Sequence, residues 1–457
     1  MKKIFIFGIL LSCIAISCTQ NLEEGDQDNG GNLLHRVAIG LTEPELLSIA
    51  YDSDNDLSEE AATDILADFI AENSMPTFCL KNKYTINAKN NSTRSVNKDH
   101  VTFYEYETEN QPEKKKALVC GDKRFPAVIA YIDSYNRNSI LPSDIMLANA
   151  KQYVLSTISQ IKHYEDSLRV QTIDKIRRIK PFTGNFKFKD FEGNIFVYEN
   201  TTRGWAVTPG GTEMAKIGPL TMTQWNQTSP YNLYADPTTG TNDEGAFDFR
   251  YDNRYPAGCV VTAMAQIAAY LKPSMPGIDW SLANIQSVPM FDNSSETSKA
   301  VASVFSLIAK GSGTKYGPEG GSTNTQMARN YMKTLGVYMD DAKDCTFQNM
   351  KSSLDALRLV YITGTSRHVS TRGFNASGRH AWLADGYQIR QRNSSYRMIL
   401  KQYNVYCHCN FGWGGDFDGW YLYQSSGDIT FDCNGYPNFE YDIFDYDLKA
   451  YPNVRKG

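Results

Sequence analysis

The stretch GCVVTAMAQIAAYLK (258–272) reads as a helix that begins on a cysteine. Apolar Val260, Met264, Ile267 and Leu271 recur at helical spacing, which predicts one buried face, and Pro273 ends the pattern. The first turn of a helix has unpaired N–H groups and the positive end of the dipole, so Cys259 sits where an anion is favoured. A cysteine so placed, with a cation nearby, has its pKa lowered from roughly 8.5 to about 3.5–7.5 and becomes a nucleophile. The competing reading is a buried structural thiol, because free cysteine is among the most buried residue types.

A thiolate nucleophile needs a base, a group to orient that base, and donors for the oxyanion. The chain has six histidines, of which only His368, His380 and His408 follow Cys259. His368 lies in the polar stretch TSRHVSTRG and reads as a solvated loop residue. His380 stands at the entrance of HAWLADGY, where Ala381, Trp382, Leu383 and Ala384 form an apolar run suited to a buried strand. Further on, Asn410 precedes Phe411-Gly412-Trp413-Gly414-Gly415. An amide there can accept the imidazole N–H without titrating, and the glycines permit a tight turn back against the histidine strand.

These segments carry a resemblance. GCVVTAMAQIAAY (258–270), RHAWLADGY (379–387) and NFGWGGDFDGWYL (410–422) resemble the signatures of the streptopain family of papain-like cysteine peptidases, which are secreted as proenzymes. QWNQTSPYN (224–232) resembles the segment that carries the oxyanion glutamine, YGPEGGS (316–322) a glycine-rich loop near the site, and VCGDKRFPAVIAYID (119–133) a propeptide strand and turn. The resemblance implies Cys259 as nucleophile, His380 as acid/base partner, Asn410 as orienting amide and Gln227 as oxyanion donor. It implies an α+β fold in which a central helix bearing the cysteine packs on an antiparallel sheet, preceded by an α+β propeptide domain. Phe411 stands where the family has Trp, and Arg379 where it often has Gly. No cofactor or metal is implied, and the expected partners are protein or peptide substrates together with the propeptide as intramolecular inhibitor.

The remaining sequence is read for organisation. Lys2 and Lys3 followed by the apolar run Ile4 to Ile16 form a signal peptide, assigned to residues 1–17. Ala15-Ile16-Ser17-Cys18 looks like a lipobox, so Cys18 is the expected lipid anchor of an exported outer-membrane or cell-surface lipoprotein, with later release of the mature enzyme left open. The polar segment after it, residues 18–36, reads as a disordered tether, and its acidic start resembles the export signal of Bacteroidetes-type lipoproteins. Residues 37–200 read as the propeptide domain, 201–216 as the processing junction and 217–457 as the peptidase domain. Within the propeptide, Thr42 and Glu45 form a capping box, Ser58 starts a helix through Ile70, and YTINA, VTFYEYE, ALVC and AVIAYI form strands. Ser143 then caps a long amphipathic helix with Leu147, Ala150, Val154, Ile158 and Ile161 on one face.

A net charge of −5 argues against nucleic acid as a partner. Nine cysteines, including Cys13 and Cys18 in the leader, are too few for a disulfide scaffold. Cys407-His408-Cys409 lacks the second ligand pair that zinc sites draw on, and in a strand the two thiols would share a face with His408 opposite. A disulfide to Cys345 or Cys433 is an alternative use of one of them. Three functions compete with the endopeptidase: a cell-wall peptide amidase with the same Cys/His chemistry, a degenerate lipoprotein that only binds at the surface, and a structural lipoprotein with no site.

Overall fold

Strands buried on both faces account for much of the architecture seen in the computed structural model. It describes residues 39–50, 55–70, 77–87, 100–109, 114–134, 143–191, 194–197, 211–238, 252–317, 320–365, 379–391, 403–425 and 448–457. The leader, Cys18, the tether, His368 and Cys433 lie outside the described residues.

The largest unit is an antiparallel sheet of 11 strands. From one edge its order is Lys343–Asp344, Lys449–Tyr451, Val360–Thr365, Arg379–Gln391, Tyr403–Asn410, Gly419–Ser425, Ala127–Ile132, Lys116–Cys120, His100–Thr108 and Phe78–Asn87. Thr212–Ile217 adds to the far half of the Arg379–Gln391 strand, with Tyr387 opposite Ile217 and Gln391 opposite Thr212. The four N-terminal strands expected from YTINA, VTFYEYE, ALVC and AVIAYI are present and join the C-terminal strands directly. Gly419, Trp420 and Tyr421 pair with Ile132, Tyr131 and Ala130. A side chain at Gly419 would run into the Tyr131 carbonyl, so the close approach of these two strands requires glycine there. The N-terminal region is thus not a detached unit, as its sequence suggested, but shares one sheet with the C-terminal strands.

Helices cover the sheet. On one side, Glu59–Ile70 and the long helix Ser143–Ile179 bury Ile65, Leu66, Ala150, Val154 and Ile158 in a core shared with Trp382, Phe411 and Tyr421. The expected caps form: Thr42 N–H donates to Glu45 at 2.8 Å, Glu45 N–H to the Thr42 hydroxyl at 3.4 Å, and Ala61 N–H to Ser58 at 3.2 Å. A second core contains the helix Cys259–Leu271 between Tyr361, Ala381 and Leu383 of the sheet and the helices Glu296–Gly311 and Thr325–Thr334. Every residue from Val261 to Ala269 is buried, so this helix is enclosed rather than amphipathic. The apolar period caught only part of that, because small alanines fill the sides where neighbouring elements approach most closely.

Thr212–Ile217 overlaps the end of the expected junction of 201–216, but it is a paired strand of the sheet. A cut within it would remove an edge from the strand that carries His380. Arg390 ties the same region to the propeptide. Its guanidinium donates to the carbonyls of Asp68 at 2.9 Å, Phe69 at 3.3 Å and Gly211 at 2.9 Å, and it lies 4.8 Å from the Phe69 ring centroid. A cation at the end of the Glu59–Ile70 helix satisfies its last carbonyls.

Replacing Arg390 with Met should leave these buried carbonyls without their donor and cost the precursor about 2–4 kcal/mol. Urea unfolding of the precursor checks this, and an unchanged midpoint would show that the arginine does not bind the two parts together.

Candidate active site

The Cys259 helix is seated by glycine contacts. Gly258 has φ 93°, and a Cβ there would strike the Gly321 carbonyl, just as one on Gly321 would strike Ala257. The glycine-rich loop therefore lies directly on the helix start, fixed by Gly321 N–H to Pro256 O at 2.9 Å. The Gln227 segment is fixed there too, since Ala257 N–H donates to Gln227 O at 3.0 Å. Gln227 is buried and stands beside the first turn.

The backbone N–H groups of Ala381, Val260 and Cys259 face the sulfur. Burial pushes the Cys259 thiol up from its ordinary value, and these donors offset only part of that rise. The depressed pKa expected from the helix terminus is therefore not realised in this form. The terminus supplies donors as foreseen, but no cation accompanies them and the desolvation cost is larger.

His380 begins the neighbouring strand, directly before Ala381. Ala381 and Leu383 point into the Cys259 core, whereas Trp382 and Ala384 point into the core shared with the propeptide. The His380 ring follows Trp382. It stacks on that indole at 6.0 Å and 13°, with Phe411 at 6.4 Å and Trp413 at 6.0 Å. Its Nε2 lies 3.0 Å from Phe411 O and 3.3 Å from Trp413 Nε1. One nitrogen cannot both donate to the carbonyl and accept from the indole. The shorter contact favours Nε2–H donating to Phe411. Burial lowers the His380 pKa to about 4, only partly offset by the Phe411 carbonyl, so the ring is neutral near pH 7. No hydrogen bond or ion pair links Cys259 to His380 among the described residues.

Asn410 lies opposite Leu383 across the strands and so faces the Cys259 side. Its Nδ2 donates to Thr223 O at 2.7 Å and to the Thr221 hydroxyl at 3.3 Å, and its Oδ1 accepts from Gly412 N–H at 3.1 Å. The imidazole is not among its partners in this form. Gly412 and Gly414 have φ of 70° and 74°, which lets the loop turn so that Gly414 N–H reaches Trp225 O at 2.9 Å. That bond links the Asn410 loop to the Gln227 segment.

Cys407 and Cys409 share one face and are buried as free thiols in the core, with Cys345 in the same cluster. His408 faces the other way, as its strand position predicted, and meets Asp385 at 2.6 Å and Asp133 at 3.8 Å. Burial alone would strip its proton, but the charge and hydrogen bonds of Asp385 and Asp133 outweigh that and push its pKa up to about 10. Asp385, Thr221 and Trp413 were not singled out from the sequence. The available signal was an aspartate inside an apolar strand, since a buried carboxylate needs a partner.

Comparison with known proteins places this geometry in context. The model of the Peptidase C10 family matches residues 225–421, a span that includes Gln227, Cys259, His380 and Asn410. Among solved structures, a prointerpain A fragment from Prevotella intermedia aligns at 15% identity over 82% of this chain and 100% of that one, with a TM-score of 0.44. Active interpain A cysteine protease from the same organism aligns at 20% identity over 53% of this chain and 97% of its own, with a TM-score of 0.34. No curated protein matches the chain.

A pH dependence follows from the buried imidazole. Its folded pKa of about 4 lies below the ordinary 6.5, so the unfolded chain binds the extra proton first as pH falls. Stability from this group is complete above pH 6.5 and is lost as pH drops from 6.5 towards 4, by about 3 kcal/mol in total. Urea titrations of the Cys259→Ala precursor should show this loss relative to a Cys259→Ala/His380→Phe form, and parallel curves for the two would contradict it.

Proposed function

We propose a mechanism from the premise that this chain belongs to the Peptidase C10 family through residues 225–421 and is a cysteine-type peptidase. The protein is a cysteine endopeptidase made as an exported proenzyme. The Cys259 thiolate attacks the peptide carbonyl, with His380 taking the thiol proton and later giving it to the leaving amine. Asn410 orients the imidazole. Gln227 and the Cys259 N–H stabilise the oxyanion, each worth about 2.7–4 kcal/mol in comparable sites.

The observation that carries this reading is the convergence at the helix start. The sulfur faces the N–H of Ala381, the residue directly after His380, while Gln227 is bonded to Ala257 two residues before the thiol. Ala381 directly follows His380, whose ring packs with Trp382, Phe411 and Trp413. Turning it towards Cys259 would create the ion pair that both pKa shifts oppose in the present form.

Residues 37–200 act as the inhibitor by completing the core in which Trp382 and Phe411 pack. Their removal opens the apolar packing behind the His380 ring and frees it to turn. Processing falls on the N-terminal side of Thr212, because that strand is integral to the peptidase sheet. Export and anchoring at Cys18 rest on the leader sequence alone. The buried, neutral thiol and imidazole also suit a degenerate surface-binding lipoprotein, and activity decides between the two.

Cys259→Ala should abolish casein cleavage and leave the precursor at full length on a gel. Self-maturation of that variant at the wild-type rate would refute autocatalysis, and a wild-type protein that neither cleaves casein nor reacts with an epoxysuccinyl inhibitor would favour the degenerate reading. N-terminal sequencing of active material should begin upstream of Thr212; a first residue beyond Ile217 would contradict the processing assignment.

A further inference from the structure

Asp385 occupies a position that regular strand pairing would not provide. Ala384 pairs with Cys409 and Gly386 with His408, so Asp385 is the extra residue of a β-bulge. A bulge re-aims a side chain, and here it turns a fully buried carboxylate towards two partners. Gly386 permits this, since a Cβ on it would lie 2.7 Å from Ile217 O and 3.2 Å from His408 Cβ.

The carboxylate oxygens serve different partners. Oδ1 meets His408 Nδ1 at 2.6 Å, while Oδ2 accepts from the Thr221 N–H at 3.0 Å and from the Thr221 hydroxyl at 2.5 Å. An ionised carboxylate can only accept. The Thr221 hydroxyl must therefore point its proton at Asp385, which leaves only its lone pairs for Asn410 Nδ2 at 3.3 Å. With Thr223 O also accepting from Nδ2, the Asn410 amide is held in one of its two flip states. Its Oδ1, bonded once to Gly412 N–H, keeps a second lone pair.

We propose that Asp385, paired with His408, is a positioning residue for the peptidase reaction, acting through Thr221 to fix the direction of the Asn410 amide. This deepens the reading given above and rests on it, because Asn410 matters to catalysis only if it orients His380. The chain of donors has one sense throughout. Asn410 donates to Thr221, Thr221 donates to Asp385, and the protonated His408 neutralises the charge collected at the end. Were Asp385 neutral or absent, the hydroxyl could donate to Asn410 instead. The amide could then present its NH2 to the imidazole, which cannot orient an N–H donor.

Thr221 is half-buried on a loop, so its substitution tests the relay without emptying the core. Thr221→Val should lower kcat by about 100-fold with KM within about twofold, and Thr221→Ser should recover most of the loss, as expected for misplacement of a catalytic group. A readout independent of activity is the 15N side-chain amide signal of Asn410 in the Cys259→Ala precursor, identified by its loss in an added Asn410→Ala change. It should exchange slowly with solvent in the parent and the Ser form and quickly in the Val form. Wild-type kcat in Thr221→Val, or equal impairment in Ser and Val, overturns the proposal, as does unaltered amide exchange in the Val form. If the enzyme proves inactive while the amide signal follows Thr221 as stated, the peptidase reading fails and the relay stands.

Discussion

The strand Arg379–Gln391 lies between two hydrophobic cores, and its period of two assigns every functional group to one side or the other. Ala381 and Leu383 belong to the core around the Cys259 helix, and Trp382 and Ala384 to the core that the propeptide completes. Because Asn410 pairs with Leu383, it stands on the cysteine side. Because His380 follows Trp382 in phase, its ring stacks on that indole.

Electrostatics follow from that division. Cys259 and His380 each lose solvent without gaining a charged partner, so both are driven towards their neutral forms. The ion pair that would activate them has to recover this desolvation, and it can do so only when the two groups meet. His408 shows the opposite balance. It is equally buried, but Asp385 at 2.6 Å gives it a counter-charge, and the proton is retained. Two histidines in one sheet thus hold different charge states because one is opposite a carboxylate and the other opposite indoles and a carbonyl.

The continuous sheet couples the fate of the propeptide to that balance. Strand pairing between Ala127–Ile132 and Gly419–Ser425, the Arg390 contacts with the Glu59–Ile70 helix, and the shared apolar core all join the propeptide to elements that end in the Asn410 loop or the His380 strand. Asp133 adds a charged contact to His408 across the same boundary. The N-terminal region packs on the back of the sheet, in the core that holds Trp382 and Phe411.

Much of the local structure around the candidate site was legible in the chain as text. The Gly-Cys start of a helix, the histidine before an apolar run, the asparagine before a glycine turn and the glutamine segment are local patterns, and local backbone chemistry is written in neighbouring residues. Helix caps at Thr42 and Ser58 and the propeptide strands were readable for the same reason. What tertiary structure alone decided is which face each group occupies and whom it meets. The bulge at Asp385, the Thr221 bridge, the indole of Trp413 against His380 and the joining of two sheets depend on residues far apart in the chain. Their contacts are set by register and close packing, which no single stretch of sequence contains.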